Sequence, residues 1–114
     1  MIRRLLIALL PAFALAATPA VAGPAWTFCV ASALGSKDVW ITGPLFTATD
    51  RDKLEDQLKS LLERQGHSRI VAQCPSPSED KPAVVNAQTK AEEFNRKLGS
   101  TLHGVSAREF PPRP

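Results

Sequence analysis

Two cysteines, Cys29 and Cys74, constrain this chain more than any other feature, because what precedes them reads as an export signal. In an oxidising compartment an even number of thiols pairs off. Here Cys29–Cys74 is the one intrachain bridge available. It closes a loop of about 45 residues and removes on the order of 4 kcal/mol of unfolded-chain freedom. Any fold must therefore bring residue 29 beside residue 74. A zinc site built from both cysteines with His67 and His103 lacks the paired ligand spacings such sites use, so no metal is expected. A reactive thiol is disfavoured because each sulfur has the other as partner.

Met1-Ile2-Arg3-Arg4 forms a short positive region, and Leu5 to Ala17 is apolar except for Pro11. Ala20-Val21-Ala22 before Gly23 supplies the small side chains that a signal peptidase accepts, and Ala14-Leu15-Ala16 fits an earlier cut. The apolar run is about 13 residues, short of the ~20 that span a bilayer. The segment 1–22 therefore reads as a cleaved secretory signal peptide, and no stable membrane anchor is expected after cleavage. Trp26-Thr27-Phe28 before Cys29 is too bulky for a lipoprotein site. The 14 Lys+Arg and 11 Asp+Glu of the whole chain become 12 and 11 once Arg3 and Arg4 are removed. That near-balance gives no reason to expect nucleic acid as a partner. The expected location is periplasmic or secreted.

Residues 23–106 read as one small α+β domain of order ββαβαβ, a sandwich of a four-stranded sheet and two helices. Trp26 to Ala31 suits a first strand, Gly35-Ser36-Lys37-Asp38 a turn, and Val39-Trp40-Ile41-Thr42 a second strand. Gly43-Pro44 breaks or bulges that strand before Leu45-Phe46, and Pro44 places this part on a sheet edge or outside the ladder. A capping-box-like start at Thr49-Asp50-Arg51-Asp52 opens a helix whose Leu54, Leu58, Leu61 and Leu62 form one stripe. Gly66 ends it in the left-handed conformation, and 68–74 reads as a strand with Ile70, Ala72 and Cys74 on one side. For the next segment, one helix over 82–98 carries Val84, Ala87, Ala91, Phe94 and Leu98 at helical spacing. The alternative makes 83–88 a strand and starts a helix at Thr89-Lys90-Ala91-Glu92. Leu102 to Val105 gives a last strand, and 107–114 reads as a loose, Pro-rich tail.

Thr49 precedes Leu54 and Leu58 by the same steps as Thr89 precedes Phe94 and Leu98, a pseudo-repeat. The stretch Val39-Trp40-Ile41-Thr42-Gly43-Pro44-Leu45-Phe46, the helix to Gly66, and Arg69-Ile70-Val71 resembles half of a sporulation-related repeat (SPOR) domain. The resemblance covers 39–71 and departs from the family in the opening hairpin and in lacking a second Gly-Pro-Phe segment. It implies a small exported sandwich of four strands and two helices that binds peptidoglycan glycan strands.

Catalytic groupings are sparse. His67 follows a helix end, where its partial charge suits the dipole, and His103 lies in the last strand. No nucleophile-elbow motif accompanies them, and no phosphate loop or cofactor motif is present. Trp26 and Trp40 are the residues that a binding surface would use, since indoles supply large, stiff contact area. Trp26 lies in an uninterrupted apolar run and reads as core. Trp40, before the Gly43-Pro44 break, is the candidate binding residue, projecting from a sheet edge. The function expected is that of a small non-enzymatic binding or structural protein, with peptidoglycan or an envelope protein as candidate partners. The alternatives are SPOR-like glycan binding and an unrecognised small hydrolase.

Overall fold

The computed structural model describes residues 23–112; the expected leader, with its cleavage residues Ala20 and Ala22, lies outside the described residues, as do 113–114. Gly23 is exposed at the start of the described chain. The elements are β1 (Ala25–Thr27), β2 (Val30–Ala33), β3 (Asp38–Thr42), β4 (Leu45–Thr47), α1 (Arg51–Arg64), β5 (Ile70–Gln73), α2 (Lys81–Lys97) and β6 (Thr101–Val105). A four-stranded sheet has the order β5-β2-β3-β6, and β1 pairs with β4 in a separate two-stranded ribbon. The ββαβαβ order holds, with each strand of the opening hairpin broken once.

The break is a bulge. Ala31 faces Trp40 and Val30 faces Ile41 in the main sheet, whereas Thr27 faces Leu45 and Trp26 faces Phe46 in the ribbon. Phe28 and Cys29 on one strand are thus opposed by Thr42, Gly43 and Pro44 on the other, one residue more. Thr42 N donates to the Cys29 carbonyl at 3.0 Å, and Cys29 N donates to Thr42 Oγ1 at 2.9 Å. Pro44, with no N–H to offer, sits in the bulge and outside both ladders.

Chirality then fixes the layers. β2 is antiparallel to both β3 and β5, and β6 is parallel to β3, so β3, β5 and β6 point the same way. The β3–α1–β5 connection steps across the sheet in one direction and β5–α2–β6 steps back in the other. Parallel crossovers are right-handed in nearly all cases, so opposite steps put the two helices on opposite faces. The buried residues divide accordingly. Leu54, Leu58 and Leu62 of α1 pack with Ala31, Trp40, Leu45, Ile70 and Val105, while Val84 of α2 packs with Phe28, Val39 and Ile41.

The bridge Cys29–Cys74 is formed and buried in the α1-side core. It joins the start of β2 to the end of β5, next to the Val30–Gln73 pair. Glu55 of α1 accepts a hydrogen bond from Cys74 N at 2.9 Å, tying the helix to the same strand end.

Both helices stop by the same device. His67 N donates to the Leu62 carbonyl and Gly66 N to that of Glu63, each at 3.0 Å. Ser100 N and Gly99 N repeat the pattern on Asn95 and Arg96. These are Schellman motifs, and the φ of +95° at Gly66 and +82° at Gly99 explains the glycines. The start of α1 differs from expectation. Its N-cap is Asp50, with no side-chain cap bond. Thr49 N instead donates to Thr47 Oγ1 at 2.9 Å, because the chain leaving β4 is still turning there.

α2 settles the segment left open by the sequence: residues 83–88 are helical, with Asp80 accepting from Ala83 N and Pro82 in the first turn. Its expected stripe is only half used. Val84 is buried, yet Phe94 is 61% and Leu98 64% exposed. The pseudo-repeat is therefore not structural, since Leu54 and Leu58, the matching positions, are in the core. The loose tail also needs correction. A turn in which Phe110 N donates to the Ser106 carbonyl carries the Phe110 ring into the α1-side core.

Candidate functional site

The structure buries Trp40. β6 comes in from the far end of the chain and pairs in parallel along the whole of β3, with Trp40 opposite His103. Trp40 thus lies in an interior strand and is 5% exposed. The expectation of a projecting edge indole is corrected: nothing near residue 40 in the sequence announces a strand that arrives about sixty residues later. The Trp40 ring meets His67 at 4.6 Å between centroids and stacks on His103 at 5.2 Å.

The two imidazoles head the most chemically suggestive cluster in the protein. His103 Nε2 lies 2.9 Å from Asp38 Oδ1, and Ser36 Oγ donates to Asp38 Oδ2 at 2.9 Å. These bonds, that of His103 foremost, hold the Asp38 carboxyl below its ordinary 3.8. Serine, aspartate and histidine are present, but in an order unsuited to nucleophilic catalysis. A triad needs histidine between serine and carboxylate to take the hydroxyl proton. Here the carboxylate is in the middle, and a carboxylate of lowered pKa is a poor base for an alcohol. The cluster locks the 35–38 turn to β6. Among the described residues, no group of three or more His, Cys, Asp or Glu side chains is placed to hold a metal ion.

The aromatic surface is instead on the ribbon. Trp26, expected in the core, is half-buried: it packs against the α2-side cluster and also faces Phe46, with ring centroids 4.9 Å apart and planes tilted by 45°. Phe46 is 57% exposed. The Lys81 ammonium, in the first turn of α2, lies 4.5 Å from the Trp26 ring centroid, within cation–π range. Trp26 is further fixed by two backbone bonds with Ser78, at 2.7 and 2.8 Å. The site is thus an indole and a phenyl side by side on a two-stranded ribbon, with a cation over the indole.

Sequence reasoning missed Phe46 for a definable reason. Strict alternation from Trp40 and Thr42 would send Phe46 to the same face as Trp40. The extra residue of the bulge reverses the phase, so Leu45 turns into the core and Phe46 turns out beside Trp26. The signal was the Gly43-Pro44 pair itself, read as a phase change rather than as an interruption. Lys81 carried no signal.

A buried disulfide marks a non-cytoplasmic setting, and among the described residues no helix is long and apolar enough to cross a membrane. Comparison of this chain with models of known protein families, with characterised proteins and with solved structures returns no match.

Proposed function

We propose that this chain is a small exported binding protein of the periplasm or cell exterior, without a catalytic role, and that the β1–β4 ribbon carries its contact surface. The observation behind the reading is the Trp26–Phe46 pair, with Phe46 57% exposed beside a half-buried indole. Adjacent aromatic rings held by a backbone ladder give a stiff contact surface at low entropic cost. Export rests on the leader features at 1–22 and on the compartment that a Cys29–Cys74 bridge requires. Against a hydrolase stands the Ser36–Asp38–His103 order, which leaves the serine without a base.

The second reading, cell-wall glycan binding, draws on the same platform. Pyranose rings present flat C–H faces that lie on aromatic rings such as the exposed Phe46, and Lys81, over the Trp26 ring, would meet an acidic substituent beside it. Co-sedimentation with purified peptidoglycan sacculi tests it, alongside a pull-down of envelope proteins. Phe46→Ala should release the protein from whichever material retains it and leave the thermal melt unchanged. Retention of Phe46→Ala at the wild-type level on both would remove the ribbon as the contact surface. Mass spectrometry of exported protein should place the N-terminus at Gly23; intact chain in washed membranes would contradict export.

A further inference from the structure

Four strands about 4.8 Å apart make a sheet face wide enough for two helices, since packed helices sit about 8–10 Å apart. The α1 face is filled: α1 packs on β5, and the Ser106–Phe110 turn adds the Phe110 ring to the same core. The α2 face is not. α2 lies over β1, β3 and β6, leaving the β2–β5 half open. Alternation from Val30 puts Ser32 and Leu34 on that open half, and the pairing of Val71 with Ser32 puts Val71 beside them. Leu34 is 52% exposed, and Val71 is exposed too.

The flank of α2 that borders this opening is apolar. Ala87 and Ala91 line clefts that reach Phe28 and Pro75, the larger of about 440 Å³ and extending to Val30 and Gln73. The helical repeat sets Phe94 and Leu98 on the Ala87 flank, further toward the β6 end of the helix. The open corner thus has an apolar floor from the sheet and an apolar wall from the helix. Its rim is basic. Lys90 and Lys97 fall on the outer side of the same flank, and Arg69 precedes Val71 with its guanidinium next to Gly35. Glu92 falls on the other flank of α2, and Glu93 points away from the sheet; Glu55 lines the far end of the larger cleft beside Arg51, with its carboxylate already engaged by Cys74 N.

We infer that the open half of the α2 face receives an amphipathic helix of a partner protein, lying alongside α2 over β2 and β5, with apolar residues inward and acidic residues toward Lys90, Lys97 and Arg69. The space matches a helix because the missing piece is one helix wide and runs beside an existing one. The partner is acidic because the rim is basic. A second copy of this chain fits poorly, since pairing the α2 flanks about a two-fold axis sets Lys90 and Lys97 against one another.

The test uses two synthetic 18-residue helices with leucine along one face, one with glutamates and the other with lysines opposite, followed by fluorescence anisotropy as purified protein is added. The glutamate helix should bind at least about tenfold more tightly than the lysine helix. Lys90→Glu with Lys97→Glu should abolish or invert that preference. Phe94→Ser with Leu98→Ser should weaken glutamate-helix binding about tenfold or more. If the serine variant proves unstable in a thermal melt, the charge-reversal pair, which alters only exposed side chains, decides alone. Equal binding of the two helices, or a preference that survives charge reversal, overturns the inference. So does a dimer in sedimentation equilibrium that Leu98→Ser dissociates, because the occupant is then a second copy. Uptake on anionic vesicles that Phe94→Ser abolishes, without binding of the glutamate helix, overturns it in favour of a lipid surface.

Discussion

Replacing both Cys29 and Cys74 by alanine should strongly destabilise the domain while leaving every secondary-structure element intact. The bridge connects positions that the β2–β5 ladder already brings together at Val30 and Gln73, so its loss removes few native contacts. Its effect falls on the unfolded chain, where a sequence separation of 45 corresponds to about 4 kcal/mol in the chain-entropy model. A domain of about 90 residues holds on the order of 5–13 kcal/mol in all, so at least about three-tenths of the stability is at stake. Alanine is the right replacement because both sulfurs are buried, and serine would add an unsatisfied hydroxyl to the cost. With a urea slope of about 1–2 kcal/mol per M, the midpoint should fall by about 2–4 M. The slope itself should rise, since the uncrosslinked chain exposes more surface on unfolding. Far-UV circular dichroism across a urea series measures both quantities. A loss under about 1 kcal/mol with an unchanged slope would refute the reasoning, because it would mean that the unfolded chain was not held by the bridge.

Other substitutions separate core from surface. Trp40→Ala should cost about 3–5 kcal/mol as a buried aromatic, Trp26→Ala clearly less, and Phe46→Ala within about 0.5 kcal/mol of wild type, all by urea melts; the reverse order for the two tryptophans would contradict the packing described. Gly66→Ala places a side chain at φ +95° and should lose about 1–2 kcal/mol, whereas an unchanged melt would mean that the Schellman turn relaxes freely. Asp38 has a lowered folded pKa, so its stabilisation is present above its ordinary 3.8 and is lost as pH falls through the lowered value. Wild type and Asp38→Asn should therefore differ above the ordinary carboxylate range and converge as pH falls through the lowered value; a gap that does not narrow in acid would place the effect elsewhere.

The features legible in the sequence were those set by neighbours along the chain. The leucine stripe of α1, the glycines at 66 and 99, and the turn at 35–38 are local arrangements with local causes. The disulfide was legible by elimination, since two sulfurs allow one pairing. The errors share a different origin. Trp40 is buried because β6 covers its strand from the other end of the chain. Phe110 is core because the α1 face had room for it, and Phe94 is exposed because α2 lies toward β6. In each case the burial of a residue depended on an element whose position no nearby residue encodes. The Trp26–Phe46 surface depended on a single inserted residue, which sequence alternation marks as a break but does not resolve into a phase.

The open half-face follows from connectivity rather than from any defect in patterning. Each parallel step in the sheet must be right-handed, and this chain takes one step in each direction, so each face receives one helix. Two helices on one face would have covered it but left the other sheet face bare. The α1 face closes only because the chain continues past β6 and turns Phe110 under it. On the α2 face the described chain offers no such segment, and the strand at that edge, β5, pairs on one side only, with β2. Natural sheets blunt such edges with polar or charged residues. Here the open half carries the exposed Leu34 and Val71, with an apolar helix flank at its border. Apart from Phe46 on the ribbon and Val85 on the other flank of α2, the large apolar residues left exposed, Leu34, Val71, Phe94 and Leu98, gather at this corner, bordered by three basic residues. That concentration is the mark of a surface meant to be covered, and it lies on a different part of the molecule from the ribbon aromatics, so the two contacts can be separated by mutation.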